Sequence, residues 1–144
     1  MRLVDANVLL YALNSADPKH QEARGWLDAA LSGREPVGFA WAGILAFLRL
    51  STRLGLFPRP LGVDAALNRV RAWLDQPVSV VLEPTTRHLE VFAGLLAGVG
   101  AGGNLVSDAH LAALAVEHDA TVMTYDNDFG RFAGVRWELP SVSG

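Results

Sequence analysis

The sequence predicts an α/β fold in which a parallel sheet is flanked by helices on both faces. Short apolar runs typical of buried strands alternate with longer segments whose apolar residues recur at helical spacing. Glycines separate these segments, as at Gly33 and Gly102-Gly103. The chain has 144 residues, 51% of them hydrophobic, which suits one domain with a sizeable core. We expect one domain over residues 1–140 and a frayed tail over residues 141–144.

The first half of the chain predicts two strands and four helices. Asp17-Pro18 is a favourable helix start, because the acid can cap the helix and proline suits its first turn. Trp26 lies on the apolar side of that helix and is expected in the core. Two prolines and a glycine make residues 56–62 a stiff linker. The predicted elements are strand 2–7, helix 8–13, helix 18–32, strand 36–39, helix 41–54 and helix 63–75.

The second half predicts three further strands and two helices. Pro84-Thr85 can open a helix, and the glycines that follow it make a flexible connection to the next helix. Asn104 can cap that second helix, in which alanine and leucine dominate. We expect His88 and Glu90 on the surface, whereas Leu89, Phe92 and Leu96 are expected to face inward. The predicted elements are strand 78–82, helix 84–96, helix 104–118, strand 121–123 and strand 135–138.

Acidic residues follow two of the predicted strands at the point where each strand ends. Asp5 ends the first strand, and Asp126 and Asp128 follow strand 121–123. If the two strands are parallel neighbours, these acids emerge at one edge of the sheet, which Asp108 approaches from its helix. Clustered carboxylates repel one another unless a cation neutralises them, and Mg²⁺ or Mn²⁺ prefers oxygen ligands. The absence of cysteine and the four scattered histidines disfavour a zinc site.

Three motifs resemble the PIN domain, and most nearly the VapC toxin ribonucleases of VapBC toxin–antitoxin systems. They are Asp5-Ala6-Asn7, the run from Gly103-Asn104 through Asp108-Ala109-His110 to Ala115, and Thr124-x-Asp126-x-Asp128-Phe129. The resemblance spans essentially the whole chain. It implies a sheet of four or five strands with the Asp5 strand at its centre. It also implies a Mg²⁺-dependent endoribonuclease that a VapB antitoxin holds inactive.

The resemblance assigns roles to individual residues. Asp5 and Asp108 are the chief metal ligands, Asp126 binds directly or through water, and Asp128 is an outer ligand. Asn7 and Thr124 would hydrogen-bond these carboxylates or the bound waters and fix their geometry. Hydrolysis by an activated water would leave 5′-phosphate and 3′-hydroxyl ends on an RNA of the tRNA or rRNA class.

One position departs from the pattern of the resembled family. Many PIN domains carry a glutamate in the helix over residues 41–54, and the corresponding residue here is Ala46. The loss puts a second metal in doubt, and nothing in the sequence places Glu22 or Glu90 there instead. Helices in the middle of such chains form the dimer contact and the antitoxin groove. Phe57 and Trp73 could serve that groove or could be ordinary core residues.

Charge and hydropathy limit the function further. The net charge of −3 and the pI near 5.7 argue against a general nucleic-acid coat. Arginine grips phosphate or carboxylate with paired hydrogen bonds, so the arginines of the middle segment indicate an RNA surface, an acidic-partner surface or solvated helix faces. They are Arg49, Arg53, Arg59, Arg69 and Arg71, of which the first three are our candidates for RNA or antitoxin contact. No apolar run is long enough to span a bilayer and no signal-peptide pattern is present, so we expect a cytoplasmic protein.

Each site residue also has an ordinary structural explanation. Asp5 could cap a helix, Asp108 could complement a helix dipole, and Asp126-Asn127-Asp128 could be a turn. Their joint placement at one sheet edge favours a site. His110 and His118 could be general acids, but a packing role is the simpler interpretation.

Two other functions compete with the nuclease interpretation. A phosphotransfer domain with Asp5 as nucleophile usually needs a lysine beside the phosphoryl group. The single lysine, Lys19, opens a helix far from any strand end. A catalytically weakened interaction or RNA-binding module is the second alternative, motivated by Ala46.

Overall fold

A five-stranded parallel sheet forms the centre of the protein. The computed structural model describes residues 1–100 and 102–141. The strands run in the order β3-β2-β1-β4-β5, so the N-terminal strand lies in the middle, as predicted. All four neighbouring pairs are parallel. The strands are β1 (Arg2–Val4), β2 (Val37–Phe39), β3 (Ser79–Val81), β4 (Thr121–Met123) and β5 (Trp137–Glu138).

Six α-helices surround this sheet within the described residues, and one 3-10 helix follows β4. Strand β2 ends at Phe39 and helix α3 starts at Trp41, with only Ala40 between them, and helix α6 is followed by β4. This is the alternation of strands and helices that the sequence predicts. The helices are α1 (Ala6–Leu13), α2 (His20–Leu31), α3 (Trp41–Ser51), α4 (Val63–Leu74), α5 (His88–Val99) and α6 (Leu105–Glu117), and the 3-10 helix is Asn127–Arg131.

Two apolar cores cover the two faces of the sheet. Successive side chains of a strand point to opposite faces, so Val4 joins the core under α1 to α4 while Leu3 joins the core under α5 and α6. Trp26 is 8% exposed and belongs to the first core, as predicted. Phe57 and Trp73 are buried there too, which decides in favour of the core interpretation for both.

The register of the central strands sets the edge where the acids emerge. Val4 pairs with Met123, and the backbone N–H of Asp5 donates to the Met123 carbonyl at 3.0 Å. Thr124 continues this edge by donating its N–H to the Glu138 carbonyl at 3.0 Å. The strands β1, β4 and β5 therefore end level with one another.

Several predicted boundaries are wrong, and local hydrogen bonds explain two of them. Helix α1 begins at Ala6 because the Asp5 carboxylate accepts its N–H at 2.8 Å. Helix α2 begins at His20 because Asp17 accepts the Lys19 N–H in a preceding turn. Helix α3 ends at Ser51 rather than at residue 54.

Two expectations about single residues also need revision. Asn104 precedes α6 but makes no capping bond with its side chain. Leu89 is 70% exposed and does not face inward, whereas Phe92 and Leu96 pack against the second core. In the tail predicted over residues 141–144, residues 142–144 lie outside the described residues. Among the described helices, none has the length and apolar character needed to cross a membrane.

Candidate active site at the carboxyl edge of the sheet

Four acidic residues are delivered to this edge by three parts of the chain. Asp5 follows β1 directly, and Asp126 lies three residues after β4. The 3-10 helix that begins after Asp126 carries Asp128, and Asp108 lies in the first turn of α6. Residues that are more than a hundred positions apart in the sequence thus lie at one edge, because β1 pairs with β4.

Three of these acids form a group that could hold a metal ion. Asp108, Asp126 and Asp128 each offer a carboxylate oxygen, and the three oxygens lie within 4.8 Å of one another. Asp108 and Asp126 are half-buried, whereas Asp128 is exposed. Asp126 also accepts the Asp128 N–H at 2.9 Å, which fixes the turn between them. The group therefore has one side open to solvent and substrate.

Asp5 lies beside this group but is held by its own hydrogen bonds. Its Oδ1 accepts the Ala6 N–H at 2.8 Å, and its Oδ2 accepts the Thr124 hydroxyl at 2.7 Å and the Asn7 amide at 3.4 Å. A carboxylate has about four lone-pair positions. Asp5 therefore keeps capacity for one further partner, and it is near enough to raise the pKa of Asp108.

Thr124 and Asn7 connect the carboxylates into one network. Thr124 is fully buried, and its hydroxyl accepts the Asp126 N–H at 2.9 Å and the Asn7 amide at 3.2 Å while it donates to Asp5. The Asn7 side-chain oxygen accepts the Tyr125 N–H at 3.2 Å. The loop after β4 is thus fixed against the start of α1, and the acids on both segments have defined positions.

Two of the acids, Asp108 and Asp5, have raised pKa values. Burial, followed by the charges of Asp126 and Asp5, raises the pKa of Asp108 to about 7. Burial also raises the pKa of Asp5, against the opposing effect of the hydrogen bonds from Thr124 and Ala6. A cation at this edge would stabilise the ionised carboxylates against both burial and mutual repulsion, so the electrostatics favour one.

The α3 side of the site carries no acid among the described residues. A Cβ on Gly43 would lie 3.6 Å from the Val4 carbonyl oxygen, which places this part of α3 against the end of β1. Ala46 lies three residues further on and thus on a neighbouring position of the same helix side. Its methyl group is half-buried and offers no ligand. The site is therefore built without an α3 carboxylate.

Two tyrosines beside the acids were missed by the sequence analysis. Tyr11 and Tyr125 pack edge to face with their ring centroids 5.2 Å apart, and the Tyr125 hydroxyl donates to Glu22 at 2.9 Å. The Lys19 ammonium lies 5.3 Å from the centroid of each ring. Glu22 is exposed, and this hydrogen bond ties it to the rim of the site. A usable signal was the spacing of Asn7 and Tyr11, which share one side of a helix.

The expectation for His88 was wrong, whereas that for His110 is supported. His88, expected on the surface, is half-buried and contacts His110 with Nε2 to Nδ1 at 3.0 Å. His88 Nδ1 lies 2.5 Å from Glu117, which also accepts the N–H and the hydroxyl of Thr85. Burial alone would raise the pKa of Glu117, but the hydrogen bonds from Thr85 and His88 outweigh burial, and the pKa of Glu117 is lowered. The network joins α5 to α6, so it supports the packing interpretation of His110.

The structure gives the remaining predicted residues no contact with the acids among the described residues. Arg49, Arg53 and Arg59 are exposed. Glu90 is exposed on α5. His118 contacts the Glu83 carbonyl with Nε2 at 2.8 Å, which fixes its ring to the segment that follows β3.

Comparison with protein families and curated proteins gives near full-length matches. The PIN domain model matches residues 2–135. Ribonuclease VapC37 of Mycobacterium tuberculosis is 57% identical over 140 residues, which cover 97% of this chain and 97% of the relative. Ribonuclease VapC33 of the same organism is 36% identical over 140 residues, with 97% and 98% covered.

Solved structures show the same fold at low sequence identity. VapBC2 from Rickettsia felis, bound to a DNA fragment from its promoter, matches with a TM-score of 0.71 at 15% identity, covering 96% of this chain and 97% of that one. VapC20 of Mycobacterium tuberculosis, described as a toxin that cleaves the sarcin-ricin loop, matches with a TM-score of 0.69 at 19% identity, covering 94% and 99%. Another neighbour is a toxin–antitoxin complex from Klebsiella pneumoniae, with a TM-score of 0.63 at 16% identity, covering 97% and 98%.

Proposed function

The chain belongs to the PIN-domain family and, within it, to the VapC toxin ribonucleases of toxin–antitoxin systems, and from this membership we propose that it hydrolyses RNA with a divalent cation at the acidic edge. Mg²⁺ is the proposed ion, and Mn²⁺ is the natural substitute because it also prefers oxygen ligands. The observation that carries the proposal is the meeting of Asp108, Asp126 and Asp128 oxygens within 4.8 Å.

The donor set fits a hard divalent cation. All candidate ligands are carboxylate oxygens, and one side of the group is exposed. The pKa of Asp108 is raised first by burial and then by the neighbouring acids, and a cation would offset the cost of ionising it there. Asp108, Asp126 and Asp128 would hold the ion, and Asp5 would complete its shell directly or through water. Such an ion supplies Lewis acidity that lowers the pKa of a water and offsets charge on the phosphate and the leaving oxygen.

The residues of the chain position the reactants. Thr124 and Asn7 hold the Asp5 carboxylate in one orientation. The Asp126 carboxylate accepts the Asp128 N–H, and this bond fixes the turn that brings Asp128 to the other acids. Asp128 is the exposed member of the cluster and is placed to accept a proton from an incoming water. Attack by water on the phosphorus in line with the 3′-oxygen leaves 5′-phosphate and 3′-hydroxyl ends.

The proposed partners follow from the family. The protein is inhibited by a VapB-like antitoxin and acts as a homodimer on an RNA of the tRNA or rRNA class, in the cytoplasm. The structural neighbours include complexes of toxins with antitoxins, which supports the first point. The domain extends over residues 1–140 in this proposal, consistent with the family match over residues 2–135.

The test combines cell-based mapping with a purified enzyme. We express the wild type and Asp108→Asn without the antitoxin and sequence RNA 5′-phosphate ends. The proposal expects new ends only with the wild type, and cleavage by the purified protein that EDTA stops and Mg²⁺ restores. Ends carrying 2′,3′-cyclic phosphate would instead show attack by the 2′-hydroxyl and refute the hydrolytic route.

A second candidate function rests on Ala46. An interaction or RNA-binding module with weakened chemistry would lack an acid at this position, as the α3 side of the site does. It predicts RNA binding without Mg²⁺-dependent cleavage. Cleavage by the wild type that is absent in Asp5→Asn would exclude this candidate.

A further inference from the structure

A cleft lies along α1, and one of its lining residues, Asn7, is hydrogen-bonded to Asp5. The cleft has a volume of about 410 Å³ and lies between α1, the end of α3 and the segment that follows α3. This volume falls in the roughly 300–1,000 Å³ range of ligand clefts. The residues that matter here are Asn7, Tyr11, Leu50, Arg53, Leu54 and Leu56.

Asn7 belongs both to this cleft and to the acidic edge. Its amide donates toward Asp5 and Thr124, and the same residue lines the near end of the cleft. Tyr11 lies one helical turn further along the same side of α1, at a distance of about 6 Å along the axis. This distance is comparable with one nucleotide of an extended strand. An RNA whose phosphate lies at the acids would therefore place the neighbouring nucleotide in the cleft.

The Tyr11 ring is held in place before any ligand binds. It packs edge to face against Tyr125 at 5.2 Å, and the Tyr125 hydroxyl is fixed by Glu22. The Tyr11 carbonyl contacts His20 Nδ1 at 2.9 Å, which ties α1 to the start of α2. Tyr11 itself is half-buried, so part of its surface remains open to the cleft. A fixed aromatic ring is the usual platform for a base of single-stranded RNA.

The opposite wall combines one cation with apolar side chains. Arg53 is exposed and forms no ion pair among residues 1–100 and 102–141, so its guanidinium is available for a phosphate. Leu54 is 84% exposed and Leu56 is 41% exposed. Apolar side chains next to an unpaired arginine suit a ligand with a flat base and an anionic backbone. The same wall does not suit the divalent cation that we propose at the acidic edge.

We propose that this cleft binds the nucleotide next to the scissile phosphate, with Tyr11 contacting its base and Arg53 its backbone phosphate. The proposal rests on the ribonuclease function proposed above and adds a site that selects the position of the cut. RNA is favoured over a protein partner because Asn7 lines the cleft and donates to Asp5, so the cleft lies next to the acids, where the substrate strand must pass.

The experiment uses a synthetic RNA that spans the mapped cut, with one nucleoside at a time replaced by an abasic unit. We expect wild-type kcat/KM to fall about 10-fold at one position beside the cut, since stacking of one base contributes on that scale. Tyr11→Leu keeps an apolar side chain of similar bulk on α1. It should cleave the intact RNA about 10-fold less well and be insensitive to the abasic unit at that position.

Arg53 gives an independent measurement with little risk to folding, because its side chain is exposed. We expect Arg53→Ala to raise KM about 10-fold while kcat changes less than about 2-fold. The slope of log KM against log salt should fall by about 0.7, as for one lost phosphate contact on a single strand. The charge-matched control Arg87→Ala, exposed before α5 on the other face of the sheet, should leave all three quantities unchanged.

Binding separates this proposal from the proposed function. In the Asp108→Asn background, fluorescence anisotropy with oligouridylate should show weaker binding when Tyr11→Leu or Arg53→Ala is added, whether or not the wild type cleaves. Wild-type cleavage that Asp108→Asn abolishes but that neither cleft variant nor any abasic unit alters would overturn the nucleotide site alone. Unchanged RNA binding together with lost antitoxin binding in the cleft variants would assign the cleft to the protein partner and also overturn it.

Discussion

Replacing Asp108 by Asn should stabilise the metal-free protein above neutral pH. A carboxyl whose pKa rises from 3.8 to about 7 on folding loses about 4 kcal/mol of stability once it is ionised in both states. Asp108 remains partly solvated, so we discount this value to about 2 kcal/mol. Asparagine has nearly the same shape and no charge, so the substitution removes the repulsion without opening a cavity.

The stability difference between Asp108→Asn and the wild type should depend on pH. The unfolded chain releases the Asp108 proton near pH 4, whereas the folded protein holds it until about pH 7. Wild-type stability should therefore fall as pH rises from about 4 to about 7, and the advantage of Asp108→Asn should grow over the same window. Below about pH 4 the two proteins should differ little.

Thermal and urea unfolding in EDTA at several pH values measure the effect. A gain of about 2 kcal/mol corresponds to a Tm increase of about 5–8 °C for a chain of this size. The control Asp75→Asn removes an exposed acid after α4 and should change stability by less than about 0.5 kcal/mol at every pH. A Tm for Asp108→Asn that is equal to or below the wild type at pH 8 would show that burial and the neighbouring acids do not make the ionised Asp108 costly, and would contradict the prediction.

Asp5→Asn should gain less than Asp108→Asn, although the sequence treats the two acids alike. Burial raises the pKa of Asp5, so neutralisation again relieves a cost. However, Asp5 accepts three hydrogen bonds. If the side-chain nitrogen of asparagine takes the place of Oδ2, it cannot accept the hydrogen bond that the Thr124 hydroxyl donates. Loss of that bond costs about 1–3 kcal/mol in a buried site and offsets the gain.

The remaining predictions concern the cation, the buried network and the α3 side of the site. Mg²⁺ at about 100 times its Kd should stabilise the wild type by about 2.7 kcal/mol and Asp108→Asn by much less, measured by Tm with and without EDTA. Thr124→Val keeps the side-chain shape but removes a donor to Asp5, so kcat should fall about 10–100-fold with KM nearly unchanged. Glu117→Ala should lower the free energy of unfolding by about 2–3 kcal/mol without changing Mg²⁺ affinity by titration, since three donors lose their acceptor far from the cation. Ala46→Glu should lower metal-free Tm and strengthen Mg²⁺ binding, whereas unchanged values for both would place this position outside the site.

The five strands were accessible from the sequence because buried parallel strands are short apolar runs, whereas their full order in the sheet was not predicted. Strand 121–123 was predicted with the bounds of β4, and the central place of β1 followed from the family resemblance. Helix starts were less accessible, since they depend on which group caps them. Helix α1 starts at Ala6, two residues earlier than predicted, because the Asp5 side chain caps it. Helix α2 starts two residues later than predicted because Asp17 forms a turn before it.

Side-chain partners across the chain were the least accessible part of the structure. Leu89 matches a helical apolar pattern, but α5 begins at His88, so Leu89 lies in the first turn, and its side chain is left exposed. The contact of His88 with Glu117 joins residues 29 positions apart, which no local pattern encodes. The edge-to-face packing of Tyr11 on Tyr125 likewise exists only because β1 and β4 are neighbours.

Assembly of the acidic edge and completion of the central strand pair are one structural event. The Thr124 hydroxyl is buried, and all its partners, Asp5, Asn7 and the Asp126 N–H, lie on the two segments that leave β1 and β4. The pairing of Val4 with Met123 brings these groups together, and the apolar side chains below hold that pairing. The repulsion among the acids therefore acts at the end of the ladder, where it can weaken the last pairs without disturbing the core. A cation bound there should strengthen this end of the β1–β4 and β4–β5 pairs first. Amide hydrogen exchange at Asp5 and Thr124, whose N–H groups donate to Met123 and Glu138, should therefore slow on Mg²⁺ addition more than exchange at Leu3 or Val122.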